Sequence, residues 1–450
     1  MNAENPAGKK RFGMSRADKE RLLAAMRGQV PAQAPEGRTA RRQIAPELLR
    51  FDTLPGYTEI QVQKAVAREI GLDDVYYVLH DGLATNHTVI AGRDYLNFSS
   101  YDYLGLNGDS RVLKAANDAA AKYGMSASAS RLTAGERPPH RELEASIASL
   151  LGTETAVCYV SGHGANMSTL GCLFGPRDVI FYDALCHNSL LLGAALSGAA
   201  RYAFPNNDIA ALDRLLEEHR YSYQRAIIVT EGLFGMDGCL CRLPELLELK
   251  RKHGCLIMID EAHSMGVAGK TGAGVREHFG IKAEDVDIWM GTLSKTLAGC
   301  GGYIAARQEI TDILRYYAPG FVYSVGLSPV VAAAVMTALD LMTAEPERVA
   351  RVQHNSARFL EMLKSAGINT GHALGYAVIP VITGSSRIAA LLAEDLLKEG
   401  VSVHPIIHPA VPDQEARLRF FITADHTDAD LDRTAELLKK LCRKYRLIPD

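Results

Sequence analysis

The sequence predicts an α/β protein: a mostly parallel central sheet wrapped by helices, with a smaller C-terminal α+β domain. Three observations predict it. Short apolar runs alternate with helical patterns between about residues 95 and 330. Those runs are continuous rather than alternating, as strands covered on both faces require. From about Thr343 the rhythm changes to one long helix, three strands and a last helix. A βαβ rhythm followed by a mixed segment gives a wrapped parallel sheet and an appended smaller unit.

The expected segments are a basic tail and linker over 1–50, a helix and β segment over 51–95, a large domain over 96–342 and a small one over 343–450. The first 50 residues hold 11 Lys/Arg against 5 Asp/Glu, a local net of +6, leaving −9 for the rest. Ser15 and Asp18 resemble a helix start, Leu22, Leu23 and Met26 form a short apolar stripe, and Gly28 can end it. Pro31 and Pro35 then mark a linker. Two readings of this tail stand, a frayed basic arm or a docking helix for a partner. Ile60, Val62, Val66 and Ile70 predict an amphipathic helix over Tyr57–Leu72, followed by β-like stretches at Val75–Leu79 and Thr88–Ala91.

The predicted strands of the large domain are Ala156–Val160, Val179–Tyr182, Ala226–Thr230, Leu256–Asp260, Ile288–Gly291 and Gly302–Ala305. Leu143, Ile147, Leu150 and Leu151 predict a helix over Glu142–Leu151 by their spacing. In the small domain a helix is expected over Pro346–Ala366 and another over Asp428–Lys444. Strands are expected near Ala377–Ile382, Val401–Ile406 and Leu418–Ile422.

Composition narrows the function. Of the 450 residues, 47% are apolar and 22% charged, with a net charge of −3. So even a balance argues against a general nucleic-acid surface. The longest apolar stretches, Val330–Leu339 and Leu190–Ala200, fall short of the roughly 20 residues a membrane span needs. Lys9, Lys10 and Arg11 are followed by no apolar region, so no secretory signal is expected. Most of the eight cysteines sit in apolar or Gly-rich runs and read as core thiols in a reducing cytoplasm. Cys239 and Cys241 form a CxC without a second ligand pair, so no metal site is expected.

Ligands gather at the carboxyl ends of strands in such sheets. Four reactive groups fall there: Asp260-Glu261-Ala262-His263, Gly291-Thr292-Leu293-Ser294-Lys295-Thr296, Ser161-Gly162-His163-Gly164-Ala165-Asn166, and His187. Each alone has a plain structural reading, as a helix cap, a core histidine or a solvated lysine. Pyridoxal phosphate would use all four. Lys295 supplies the Schiff-base amine, and Asp260 a carboxylate for the pyridine nitrogen. Ser161, Gly162 and His163 open a helix that can cradle the phosphate, with Thr292 adding a hydroxyl. His187 could stack on the ring. Competing motifs fail. Gly269-Lys270-Thr271 lacks the first glycine of a P-loop, since position 264 is Ser264. No GxGxxG and no GxSxG is present.

Four segments, Asn97–Leu106, Glu231–Gly238, Asp260–His263 and Thr292–Lys295, occur in an order that resembles the α-oxoamine synthases, fold-type I pyridoxal-phosphate enzymes. This group includes serine palmitoyltransferase and aminooxononanoate synthase. The resemblance covers about Tyr95–Leu441. Ser126–Leu132, which holds Ser130, and Ala318–Ser324 are similar to the branch associated with polyketide synthases. The resemblance implies joining of an α-amino acid to an acyl thioester, on coenzyme A or an acyl carrier protein, with loss of CO2, in lipid or secondary-metabolite biosynthesis. It implies that Lys295 holds the cofactor and moves the Cα proton. His187 stacks, Asp260 pairs with the ring nitrogen and His263 bonds the phenolic oxygen. Arg419 clamps the substrate carboxylate, with Tyr101 and Ser130 as further substrate contacts. Ser324 and Val325 reach the phosphate from a second subunit, so a homodimer is implied. Gly235 stands where several members have serine. Tyr101 stands where glycine users have asparagine, a pattern more like serine palmitoyltransferase. The alternatives are another fold-type I activity, an aminotransferase or retro-aldol lyase, and a non-catalytic partner subunit, typically lacking the lysine.

Overall fold

The computed structural model describes residues 44–69, 76–408 and 410–449. The tail features from Lys9 to Arg42, including the helix start at Ser15 and the prolines at 31 and 35, lie outside the described residues, as do Ile70 and Val75. The chain divides into two units, Met1–Gly71 and Leu72–Asp450. In the first, the turns Pro46–Leu49 and Phe51–Thr53 lead into a helix over Pro55–Glu69, on which Ile60 and Val62 are exposed.

The second unit opens with an antiparallel hairpin, β1 (His87–Ile90) and β2 (Arg93–Asn97). Its two turn residues, Ala91 and Gly92, both have positive φ, which suits the twist of a two-residue hairpin. The strand expected at Val75–Leu79 does not form over its described part. Tyr76–Leu79 is irregular and pairs with no strand, because Tyr77 takes a positive φ with its side chain out in solvent.

The main sheet holds seven strands: β3 (Thr155–Tyr159), β4 (Val179–Asp183), β5 (Ala200–Phe204), β6 (Ala226–Glu231), β7 (Leu256–Asp260), β8 (Ile288–Thr292) and β9 (Gly302–Ala306). Their spatial order is β3-β9-β8-β7-β6-β4-β5. Only β9 runs against its neighbours. Successive side chains on each strand enter opposite cores. Cys158, Phe181, Ile228, Ile257 and Trp289 pack into one, and Val157, Ile180, Val229, Met258 and Met290 into the other. This is why the strands read as unbroken apolar runs. β5 was not anticipated. It is one of the two edge strands, half-exposed and interrupted by Arg201, so it carries no such run.

Beyond the sheet come the helices Pro329–Ala344 and Pro346–Ser365, then β10 (Val378–Ile382), the helix Ser386–Lys398, β11 (Val401–Ser402), β12 (Pro405–Ile406), β13 (Arg417–Phe421) and the helix Asp428–Lys444. Thr427 and Asp430 close a capping box on that last helix. β10-β13-β12 form an antiparallel sheet. The single strand expected over Val401–Ile406 splits in two. β11 pairs parallel with β2, whereas β12 pairs with β13, so the chain changes sheet at Val403-His404. Among the described residues, no helix is long and apolar enough to cross a membrane.

Candidate active site

The carboxyl ends of β6, β7 and β8 bring Glu231, Asp260 and Thr292 to one edge. Ser161 caps the helix Gly162–Leu173 at that edge, its hydroxyl accepting from Gly164 N–H at 3.2 Å. Glycine is required beside it. A Cβ on Gly162 would lie 3.0 Å from Thr292 Oγ1, and one on Gly302 would lie 2.4 Å from Gly162 Cα. The helix start therefore rests directly on the ends of β8 and β9. Beside it Thr292 and Ser294 place two hydroxyls, 2.7 Å apart. Such a helix start favours an anion.

Asp260 is buried and held on both oxygens, by Asn166 Nδ2 at 2.8 Å and by Ala262 N–H at 2.9 Å. Asn166 also donates to Ser189 Oγ at 2.9 Å, and that oxygen lies 2.7 Å from His187 Nδ1. A chain of polar groups thus joins Asp260 to His187. His163 is exposed and stands edge-on to His187, ring centroids 6.2 Å apart.

Glu231 and Asp260 are register partners on adjacent parallel strands. Burial first, and the charge of Asp260 second, push the Glu231 carboxyl up. Glu231 accepts from His187 N–H at 2.6 Å and from Gly235 N–H at 3.3 Å. Lys295 follows β8, with Nζ 5.6 Å from the centroid of the Tyr101 ring. Burial lowers its amine, although Asp260 and Glu231 pull the other way. A lysine held this way is more readily neutral and nucleophilic than a surface one.

Arg419, on β13, donates from Nη1 to Gly235 O at 3.0 Å and from Nη2 to Tyr101 Oη at 3.4 Å. Its guanidinium lies 4.6 Å from the Phe421 ring centroid, and among the described residues its buried Nε has no hydrogen-bond partner. His263 stacks on Phe421, 6.2 Å away at 8°. Its Nδ1 lies 2.7 Å from Tyr103 Oη, and burial holds the imidazole well below its ordinary value, with Lys295, Arg419 and His187 adding to this. Tyr101, Arg419 and Phe421 also line a cavity of about 390 Å³ that reaches His80 and His404.

The fold therefore gathers Ser161, Gly162, His163, His187, Asp260, His263, Thr292, Lys295, Tyr101 and Arg419. Ser130, Ser324 and Val325 are not joined to this group by any hydrogen bond among the described residues. Ser130 Oγ donates to Val322 O at 2.7 Å, and Val325 is exposed. Glu231, Asn166, Ser189 and Tyr103 were given no role by sequence reasoning. Glu231 and Tyr103 lie inside the motifs that carried the resemblance, and the strand-end position of Glu231 was a usable signal. The contacts of Asn166 and Ser189 need the tertiary fold. Elsewhere Asp213, Glu217 and His253 converge, but Lys252 Nζ already occupies that cluster, 2.8 Å from Asp213.

Pyridoxal phosphate fits these residues. The glycine at 162 leaves an open cradle at a helix start, a fixed carboxylate stands at Asp260, and Lys295 offers an amine lowered by burial.

Residues 93–438 match the family Aminotransferase class I and II. The 8-amino-7-oxononanoate synthase of Symbiobacterium thermophilum is 38% identical over 361 residues, 80% of this chain and 92% of its own length. The 4-hydroxy-2,2'-bipyrrole-5-methanol synthase of a Serratia species is 35% identical over 346 residues, 77% of this chain and 52% of its own. A serine palmitoyltransferase from S. paucimobilis, solved with a bound PLP–myriocin aldimine, superposes with a TM-score of 0.84 at 26% identity, covering 87% of this chain and 99% of that one.

Proposed function

This chain belongs to the class I and II aminotransferase family, as a pyridoxal-phosphate-dependent acyltransferase of the α-oxoamine synthase type, and from that premise we propose which residues carry the reaction and which substrates it joins. The substrates are an α-amino acid and an acyl thioester, and the product is an α-amino ketone formed with loss of CO2. Bound pyridoxal phosphate supplies an electron sink for the charge left when a bond at Cα breaks.

Lys295 holds the cofactor and afterwards takes the Cα proton. Asp260 would pair with the pyridine nitrogen and His187 would cover the ring. Ser161, Gly162, His163 and Thr292 hold the phosphate. Arg419 grips the substrate carboxylate with two parallel N–H groups, a task its fork suits. By fixing the carboxylate, Arg419 would set which Cα bond faces Lys295, the group that would take the proton. The carbon then attacks the thioester carbonyl, the thiol leaves, and the β-keto acid loses CO2. Tyr101 and Ser130 complete the substrate contacts, and Tyr101 favours an amino acid other than glycine. Ser324 and Val325 serve the phosphate of a second subunit in a homodimer, a role that the exposure of Val325 supports.

One observation carries this reading. The Lys295 amine stands 5.6 Å from the ring of Tyr101, whose hydroxyl meets Arg419 at 3.4 Å. Amine and carboxylate clamp therefore border the same small space. The presence of Lys295 and Asp260 weighs against a non-catalytic subunit. The acyl donor is an acyl-CoA or a carrier-protein thioester. All eight cysteines are free, which supports a cytoplasmic location. The sheets support a large cofactor domain over 96–342 and a small domain over 343–450.

The test is stoichiometry with each donor class. One CO2 and one free thiol per ketone support the reading. A keto acid without CO2 indicates an aminotransferase and refutes it.

A further inference from the structure

Tyr103 has no solvent exposure and His263 only 9%. The phenol oxygen lies 2.7 Å from Nδ1 of the imidazole. A buried hydroxyl that makes no hydrogen bond with its proton costs free energy, so the proton must go somewhere. Among the described residues the Tyr103 hydroxyl has no other polar partner. Its O–H therefore donates to Nδ1. A neutral imidazole that accepts at Nδ1 carries its own proton on Nε2. The reverse arrangement, Nδ1–H donating to the phenol oxygen, would leave the tyrosine proton without an acceptor inside the core.

The surroundings keep both groups neutral. Burial first, then Lys295, Arg419 and His187, oppose a positive charge on His263, and burial raises the Tyr103 phenol far above its usual value. Tyr101 and Phe421 are the ring neighbours of His263 on its other sides. Nε2 points away from Tyr103, toward the wall of the cleft at Gly235, where a Cβ would lie only 2.1 Å from it. Among the described residues Nε2 has no hydrogen-bond partner.

We propose that Tyr103 is a positioning residue: it locks His263 as the Nε2–H tautomer, so that the imidazole always presents a donor to the phenolic oxygen of the bound cofactor. This rests on the placement of His263 proposed above. A donor at that oxygen draws charge from it and weakens its hold on the neighbouring nitrogen's proton. Losing the donor makes the lysine-bound chromophore keep that proton to higher pH.

The experiment is a pH titration of visible absorbance on the holoenzyme and on Tyr103→Phe, His263→Ala and the double variant. Tyr103→Phe keeps the ring and deletes one O–H. Its midpoint should rise by about one pH unit, the order of one hydrogen bond. His263→Ala should rise at least as far, and the double variant should match His263→Ala. An unmoved midpoint in Tyr103→Phe, with His263→Ala shifted, overturns the role of Tyr103 alone. An unmoved midpoint in His263→Ala overturns the placement of His263 as well, while the CO2 and thiol stoichiometry reports separately on the reaction. A shift by Tyr103→Phe that persists at full size in the His263→Ala background overturns the coupling. Nitrogen NMR of the apoprotein with 15N-labelled histidine needs no folded variant of Tyr103. It should show His263 protonated at Nε2, and a proton on Nδ1 overturns the proposal.

Discussion

Glu231 and Asp260 end adjacent parallel strands as direct register partners, so two buried carboxylates stand side by side at the edge of the sheet. They have different tasks. Asp260 is held by side-chain and backbone donors at the end of its own strand, whereas Glu231 accepts from the loops beside it. By accepting from His187 N–H and Gly235 N–H, Glu231 fixes the loop of His187 and the loop whose carbonyl holds Arg419. Glu231→Ala orphans two backbone donors, at about 1–3 kcal/mol each. It should lower kcat/KM for the amino acid by about tenfold or more. Glu231→Gln keeps an acceptor and should stay within about threefold. Equal losses in the two variants, read by steady-state kinetics, would refute this role.

Gly235 leaves room for His263. A side chain there would place its Cβ 2.1 Å from Nε2, so the ring must move. Gly235→Ser should lower the melting temperature, at a cost of about 1–3 kcal/mol of overpacking, and should alter the visible spectrum of the holoenzyme. A variant with wild-type melting and spectrum would show that the ring swings aside freely.

Lys295 gives the apoprotein a pH signature. Its folded amine is lowered from 10.5, chiefly by burial. Between the lowered value and 10.5 the unfolded chain binds a proton that the folded chain lacks, so stability rises with pH across that window and is lost again as pH falls. Lys295→Met should remove that rise and leave a folded protein without turnover. Urea unfolding of both apoproteins across the window measures it, and parallel curves would contradict the lowered amine.

Arg419→Ala should act on the amino acid. Loss of the fork should raise KM for the amino acid by about tenfold to a hundredfold, the worth of a charge-assisted pair, with little change in KM for the acyl thioester. Steady-state kinetics with each substrate varied in turn would show it. An unchanged amino-acid KM would refute the clamp.

The basic tail offers a test of the acyl donor. Residues 1–50 carry a net charge of +6, which would steer an acidic carrier protein by electrostatics. Deleting residues 1–45 should weaken apparent affinity for an acyl-carrier-protein donor, most at low salt. Unchanged affinity would remove the tail from donor recognition.

Much of this architecture was legible because burial leaves a plain mark on composition. Val179–Asp183 and Leu256–Asp260 are apolar on every residue up to the terminal aspartate, since both faces are covered, and they end where polar ligands are needed. β5 was illegible because an edge strand needs no apolar run, and Arg201 sits within it. The change of sheet at Val403-His404 was illegible because apolar residues continue through it while their partners change. In the site, Lys295, Asp260 and His187 could be named from type and strand-end position. The roles of Asn166 and Tyr103 could not. Each depends on a partner far along the chain, Asp260 at 94 residues and His263 at 160 respectively, whose distance only the folded chain sets.

The central claim is that Lys295 carries the cofactor beside an amino acid held by Arg419. A visible absorbance titration of the holoenzyme with serine, alanine and glycine tests it most directly. A bound chromophore should shift saturably with a preferred amino acid other than glycine, at far higher concentrations in Arg419→Ala, and Lys295→Ala should show no lysine-bound chromophore. A protein that stays colourless after addition of pyridoxal phosphate, or a Lys295→Ala variant with the wild-type spectrum, would contradict it.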